Sequence, residues 1–301
     1  MKHRSFTRGT GLAAALLSTA LFASACGSDS SSDSGDSAAD ETITLGILPS
    51  WTDGLSMAYL WKDVLEEEGY EVEITELSEA APLYTGLANG DIDIYPSAWP
   101  EVTHAQYMEE YGDSIEDLGA YYDNAKLTLA VPEYTDIDSI AELNDNADAL
   151  DGKIVGIEPS AGLTDVTKNS VMPEYGLDEN FELVESSTTA MLSELKAATD
   201  DERDIVVTLW RPFWANSEFP VKDLEDPEGA LGEPEGLHAL ARDGFSDDFP
   251  EVAEMFEAAK LDDAQYGSLE DLVVNEYGEG QEADAVDAWL EENADWRSTL
   301  S

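Results

Sequence analysis

The strongest constraint on this chain is that its body is written twice. Gly46-Ile47-Leu48-Pro49-Ser50 returns as Gly156-Ile157-Glu158-Pro159-Ser160, 110 residues later. Around each copy the hydrophobic pattern predicts the same series: a strand (43–48, 153–157), a helix (55–68, about 163–175), a second strand (71–77, 181–185), a second helix (82–88, 189–199) and a third strand (91–95, 204–208). Each third strand leads to a tryptophan. Trp99 lies 53 residues beyond its glycine and Trp210 lies 54 beyond its own, so the spacing survives two helices and three strands.

Strands alternating with helices imply parallel, right-handed βαβ units whose strand carboxyl ends share one edge. Two such units in one chain predict two similar lobes, and ligands favour the boundary between them. The expected division is lobe one from 41–131 plus 236–301 and lobe two from 132–235. Residues 126–131 form the outgoing crossing and 236–242 the returning one, together a hinge. The helical remainder, 250–259, 262–274 and 282–293, packs back on lobe one.

Composition narrows the function classes. With 67 acidic and 14 basic residues the formal charge is -53, which excludes a protein that binds nucleic acid by neutralising phosphates. It also disfavours docking on anionic lipid through charge, and reads as a solvated acidic shell. The acids follow no EF-hand spacing, and no metal or cofactor is expected. Hydrophobic residues make up 43% of the chain, enough for two cores.

Residues 1–25 read as an export signal: Lys2, Arg4 and Arg8 ahead of a small and apolar stretch, 11–23. Cys26 is the only cysteine, so no internal disulfide forms. Ala23-Ser24-Ala25-Cys26 followed by Gly27 resembles a lipobox, with Ala23 where leucine is usual, and places lipidation on Cys26. Plain cleavage after Ala25 is the alternative. Residues 27–40, rich in Gly, Ser and Asp, form a flexible tether. The resulting location is extracytoplasmic, lipid-anchored to the outer face of the cell membrane.

Four strand ends face the expected cleft, carrying Trp51, Trp99, Ala161-Gly162-Leu163 and Trp210. Trp61, Trp289 and Trp296 sit in helical patterns where packing explains them. Converging indole faces suit a quaternary ammonium, which has no N–H to donate but is attracted by ring quadrupoles. Ser160 to Leu163 precede a helix, whose first amides bind anions. His104, five residues past Trp99, can donate to the same anion, although a surface helix residue would have the same spacing. No Gly-rich loop with Lys-Ser or Lys-Thr, Gly-x-Ser-x-Gly elbow or His-Glu-x-x-His motif is present.

These motifs, Ser-Ala-Trp-Pro-Glu-Val-Thr-His at 97–104, Gly-Ile-Glu-Pro-Ser-Ala-Gly-Leu at 156–163 and Val-Thr-Leu-Trp-Arg-Pro-Phe-Trp at 207–214, resemble the glycine betaine-binding proteins of osmoprotectant ABC importers. The resemblance covers essentially all of the chain from Ile43. It implies an α/β, two-lobed, periplasmic-binding-protein-like (type II) fold with the ligand cleft between lobes, and a non-enzymatic receptor that delivers glycine betaine or proline betaine to a permease and its ATPase. It also implies a prism of Trp51, Trp99 and Trp210 around the trimethylammonium group, with the carboxylate on the amides of Gly162 and Leu163 and on His104. The chain departs from the family pattern at Leu209, Arg211 and Phe213, beside the third tryptophan. Trp214 covers the pocket or, as favoured here, packs. A choline or carnitine receptor is the alternative ligand reading, and an extracellular hydrolase using paired carboxylates the alternative class.

Overall fold

The structure, a computed structural model, describes residues 42–300. The export signal, Cys26 and the tether lie outside the described residues. The repeat appears as two copies of one parallel unit. In the first, β1 (Thr42–Ile47) lies between β2 (Glu71–Glu76) and β3 (Ile94–Ala98), parallel to both. In the second, β5 (Lys153–Val155) lies between β6 (Glu182–Val184) and β7 (Val206–Arg211), again parallel to both. The crossovers are helical: α1 (Thr52–Glu67) and α2 (Ala80–Asn89) in the first unit, then α4 (Gly162–Val166) running through a wide turn into α5 (Met172–Glu174), and α6 (Thr188–Asp200), in the second. A short helix, α3 (Ala105–Tyr111), follows β3.

Two antiparallel strands join the units. β4 (Ile115–Pro132) lies along β9 (Glu235–Arg242) over its first part, up to Ala125, and along β7 and β8 (Val221–Asp223) from Lys126 onward. β9 in turn pairs with β3. The expected outgoing crossing, 126–131, is therefore already paired with the second repeat. One strand serves both halves, so the change of partner falls inside it rather than after residue 131.

α1 shows why these sequences form these elements. Met57, Leu60, Trp61, Val64 and Leu65 recur at helical spacing and are all buried, which is the apolar stripe of a helix on a sheet. Beyond α7 (Ala215–Glu218), the chain ends in α8 (Phe245–Asp248), α9 (Pro250–Ala258), α10 (Asp263–Asp271), α11 (Glu282–Glu292) and α12 (Ala294–Arg297), and α10 and α11 pack on α1. Trp61 stacks on Phe256 with ring centroids 3.7 Å apart and meets the edge of Trp296, which in turn meets Trp289. These three tryptophans are core, as their helical spacing predicts. Trp61→Ala is expected to cost roughly 3–5 kcal/mol, read as a fall in the urea midpoint; a loss below about 1 kcal/mol would mean that the C-terminal helices do not depend on this contact.

Candidate ligand-binding site

All six residues singled out from the sequence line one cavity where the carboxyl ends of the two parallel units meet. Trp51, Trp99, His104, Gly162, Leu163 and Trp210 are joined there by Asp53, Thr103, Leu127, Ile157 and Ala161. Trp51 immediately precedes α1, Trp99 follows β3, and Trp210 lies within β7, opposite Leu127 of β4. Each indole is almost wholly buried. Aromatic faces and aliphatic side chains dominate the lining, which favours a ligand part that is cationic yet apolar on its surface.

The polar end is equally defined. Gly162 and Leu163 are the first two residues of α4, with Ala161 at its cap position. Helix geometry leaves such amides without intrahelical acceptors, and the helix dipole adds positive potential there. Gly162 is required by contact rather than by backbone conformation: a Cβ at this position would lie 1.6 Å from the carbonyl oxygen of Thr103.

His104 is 2% exposed, not a surface residue. Its backbone N–H donates to the Trp99 carbonyl (2.8 Å), while the Trp99 N–H donates to its Nδ1 (3.1 Å). The Tyr84 hydroxyl lies 2.8 Å from the same nitrogen. Because a backbone N–H can only donate, Nδ1 is the unprotonated nitrogen, and the neutral ring carries its hydrogen on Nε2. Burial pushes the His104 pKa down to about 3, so the ring is neutral at physiological pH. The residue is thus a fixed, uncharged donor.

Asp53 was not legible as a site residue. Its carboxyl is buried, accepts hydrogen bonds from Ser97 Oγ (2.6 Å) and Trp99 Nε1 (3.1 Å), and lines the cavity. Burial raises its pKa, and the bonds from Ser97 and Trp99 offset part of that. As one acid among 67, it carried no distinguishing signal beyond standing two residues after Trp51.

The residues at which the chain departs from the family pattern do not line the cavity. Phe213 stacks behind Trp210, ring centroids 4.0 Å apart. Arg211 makes a two-pronged bond to Asp223 (2.7 and 2.9 Å). Trp214 meets Phe213 and Phe219, which is packing.

Comparison with known proteins bears on this arrangement. Residues 41–292 match the family described as the substrate binding domain of ABC-type glycine betaine transport system. Over 154 residues the chain is 32% identical to the glycine betaine/carnitine transport binding protein GbuC of Listeria monocytogenes, a match covering 50% of this chain and 49% of that protein. The chain thus spans about half the length of that curated relative. Lactococcal OpuAC, in its closed-liganded conformation complexed with glycine betaine, superposes with a TM-score of 0.79 at 26% identity, over 87% of this chain and 99% of that one. An ABC-transporter choline binding protein in complex with choline superposes with a TM-score of 0.77 at 26% identity, over 86% and 91% of the two chains. The α/β fold is that of substrate-binding proteins of the periplasmic type, and these relatives are transport binding proteins, not enzymes. Among the described residues no helix is long and apolar enough to cross a membrane.

Behind the cavity, Glu270 of α10 accepts a hydrogen bond from Thr52 and is raised to about 8 by burial, with Asp53 adding to the rise. In the unfolded chain it titrates near 4.5. Between these values the native state keeps a proton that the unfolded state has lost, so this group makes stability fall as pH rises from 4.5 to 8. Glu270→Gln is expected to match the wild type near pH 4 and to exceed it by roughly 4 kcal/mol at pH 8, measured by urea unfolding; parallel pH profiles would contradict the shift.

Proposed function

The chain belongs to the family of substrate-binding domains of ABC-type glycine betaine transport systems, and we propose that its cavity captures glycine betaine, or a close relative such as proline betaine, for delivery to a permease and its ATPase. The observation that carries this reading is the presence in one cavity of three indoles and three neutral hydrogen-bond donors. The trimethylammonium group sits among Trp51, Trp99 and Trp210. Each face contributes about 0.5–2 kcal/mol, more as the site is drier, and methyl burial adds to it. The carboxylate takes the amides of Gly162 and Leu163 and the Nε2–H of His104. Asp53 lies on the cationic side, where a fixed positive charge favours its ionised form.

Ligand contacts come from both repeats: Trp51, Trp99 and His104 from lobe one, Gly162, Leu163 and Trp210 from lobe two. A ligand that touches both stabilises the apposed state over any separated one, which is how binding is signalled to a partner. Outside the described residues, the lipobox-like segment ending at Cys26 supports a lipid anchor on the outer face of the cell membrane, with the tether giving the body its reach.

Choline is the second reading, and Asp53 favours it, because a buried carboxyl beside the cage suits a bare cation. The three donors favour a zwitterion, since choline leaves them without an anionic partner. Calorimetry separates the two. Glycine betaine is expected to bind more tightly than choline, and His104→Ala to weaken it at least tenfold while changing choline less. No heat from folded protein at millimolar betaine, or equal losses for the two ligands, would overturn the assignment.

A further inference from the structure

Glu158 stands where the repeat breaks its own pattern. The first copy carries the enclosed Leu48, and the second a carboxyl that is 4% exposed. Its four hydrogen-bonding partners are all donors. Two come from Thr188, at the start of α6: the backbone N–H to Oε1 and the hydroxyl to Oε2, both at 2.9 Å. Two come from the other repeat: Trp51 Nε1–H to Oε2 at 3.2 Å and Ser50 Oγ to Oε1 at 3.4 Å. A carboxylate, with acceptor capacity on both oxygens, suits four donors, whereas a neutral amide has a single acceptor oxygen.

We infer that Glu158 is a positioning residue for the cation cage, fixing the indole of Trp51 from the opposite repeat so that this wall is complete only while the two repeats are apposed. The inference rests on the proposed ligand reading. An indole donates from one edge in one direction, so an acceptor in the ring plane removes its rotational freedom. Trp51 is thereby held nearly parallel to His104, at 18° with centroids 6.0 Å apart. A bond to a carboxylate also draws the N–H proton outward and enriches the ring, deepening the negative potential that its face offers a cation. Trp99 differs, because its indole N–H is held by Asp53 of the same repeat. One wall of the cage is built in, and another is supplied by contact across the cleft.

A double-mutant cycle isolates this role. Glycine betaine affinity is measured by calorimetry for wild type, Glu158→Gln, Trp51→Phe and the double variant, each checked for folding by circular dichroism. Trp51→Phe keeps a smaller aromatic face and removes the donor N–H together with the pyrrole ring, a loss common to both arms of the cycle. Glu158→Gln is expected to weaken betaine about tenfold in the wild-type background, but less than threefold beside Trp51→Phe. The same fold-loss in both backgrounds would overturn the inference, since Glu158 would then act through Thr188 and α6 alone. If Glu158→Gln does not fold, Glu158→Asp, which withdraws the charge by one methylene, enters the same cycle with the same expectation. A wild type that binds no betaine overturns the ligand reading and this inference with it, whereas an additive cycle on a binding wild type overturns the inference alone.

Discussion

Gly162 and the carbonyl of Thr103 come so close that no side chain fits between them, and the site depends on that contact. It brings the first turn of α4 against the loop that carries Trp99 and His104. Neighbouring bonds hold the same approach: the Tyr107 hydroxyl donates to the Ser160 carbonyl (2.6 Å), the Ala80 N–H donates to Ser160 Oγ (3.0 Å), and that hydroxyl donates to Glu79. Residues 158–162 are therefore gripped by the first repeat along their length. These contacts hold the two faces of the cavity against one another.

The second organising feature is electrostatic. The chain is strongly acidic, yet the ligand cavity holds no lysine or arginine. The donors at its polar end are neutral, because burial keeps His104 uncharged. At its indole-lined end two of the indoles donate to carboxyls, Trp51 to Glu158 and Trp99 to Asp53. Such a division suits a zwitterion better than a simple cation or anion. Glu235 supports it from a distance by accepting the backbone N–H groups of Glu101, Val102 and Thr103, which shapes the loop leading to His104.

Much of this was legible in the sequence because periodicity and repetition act over long spans. The five-residue repeat and the matched tryptophans located the strand ends, and the paired parallel units follow that register. Trp99 was readable for the same reason, whereas His104, which has no counterpart after Trp210, was readable only from its place five residues past Trp99 and from the family resemblance. Asp53 and Glu158 were not, since a carboxyl becomes informative only when its burial and donors are known, and neither leaves a periodic trace. The partner switch inside β4 was hidden as well. Side-chain alternation tells which face of a sheet a residue takes, not which neighbour its strand bonds, so it cannot mark where one sheet hands over to the next.

The central claim is that one ligand spans both repeats with its charges separated in a fixed order. A crystal structure of the protein with glycine betaine tests it directly. The account predicts the quaternary nitrogen within about 6 Å of the ring centroids of Trp51, Trp99 and Trp210, and the carboxylate in hydrogen-bond contact with the amides of Gly162 and Leu163 and with Nε2 of His104. A ligand lying in the reverse orientation, or bound outside this cavity, would contradict it.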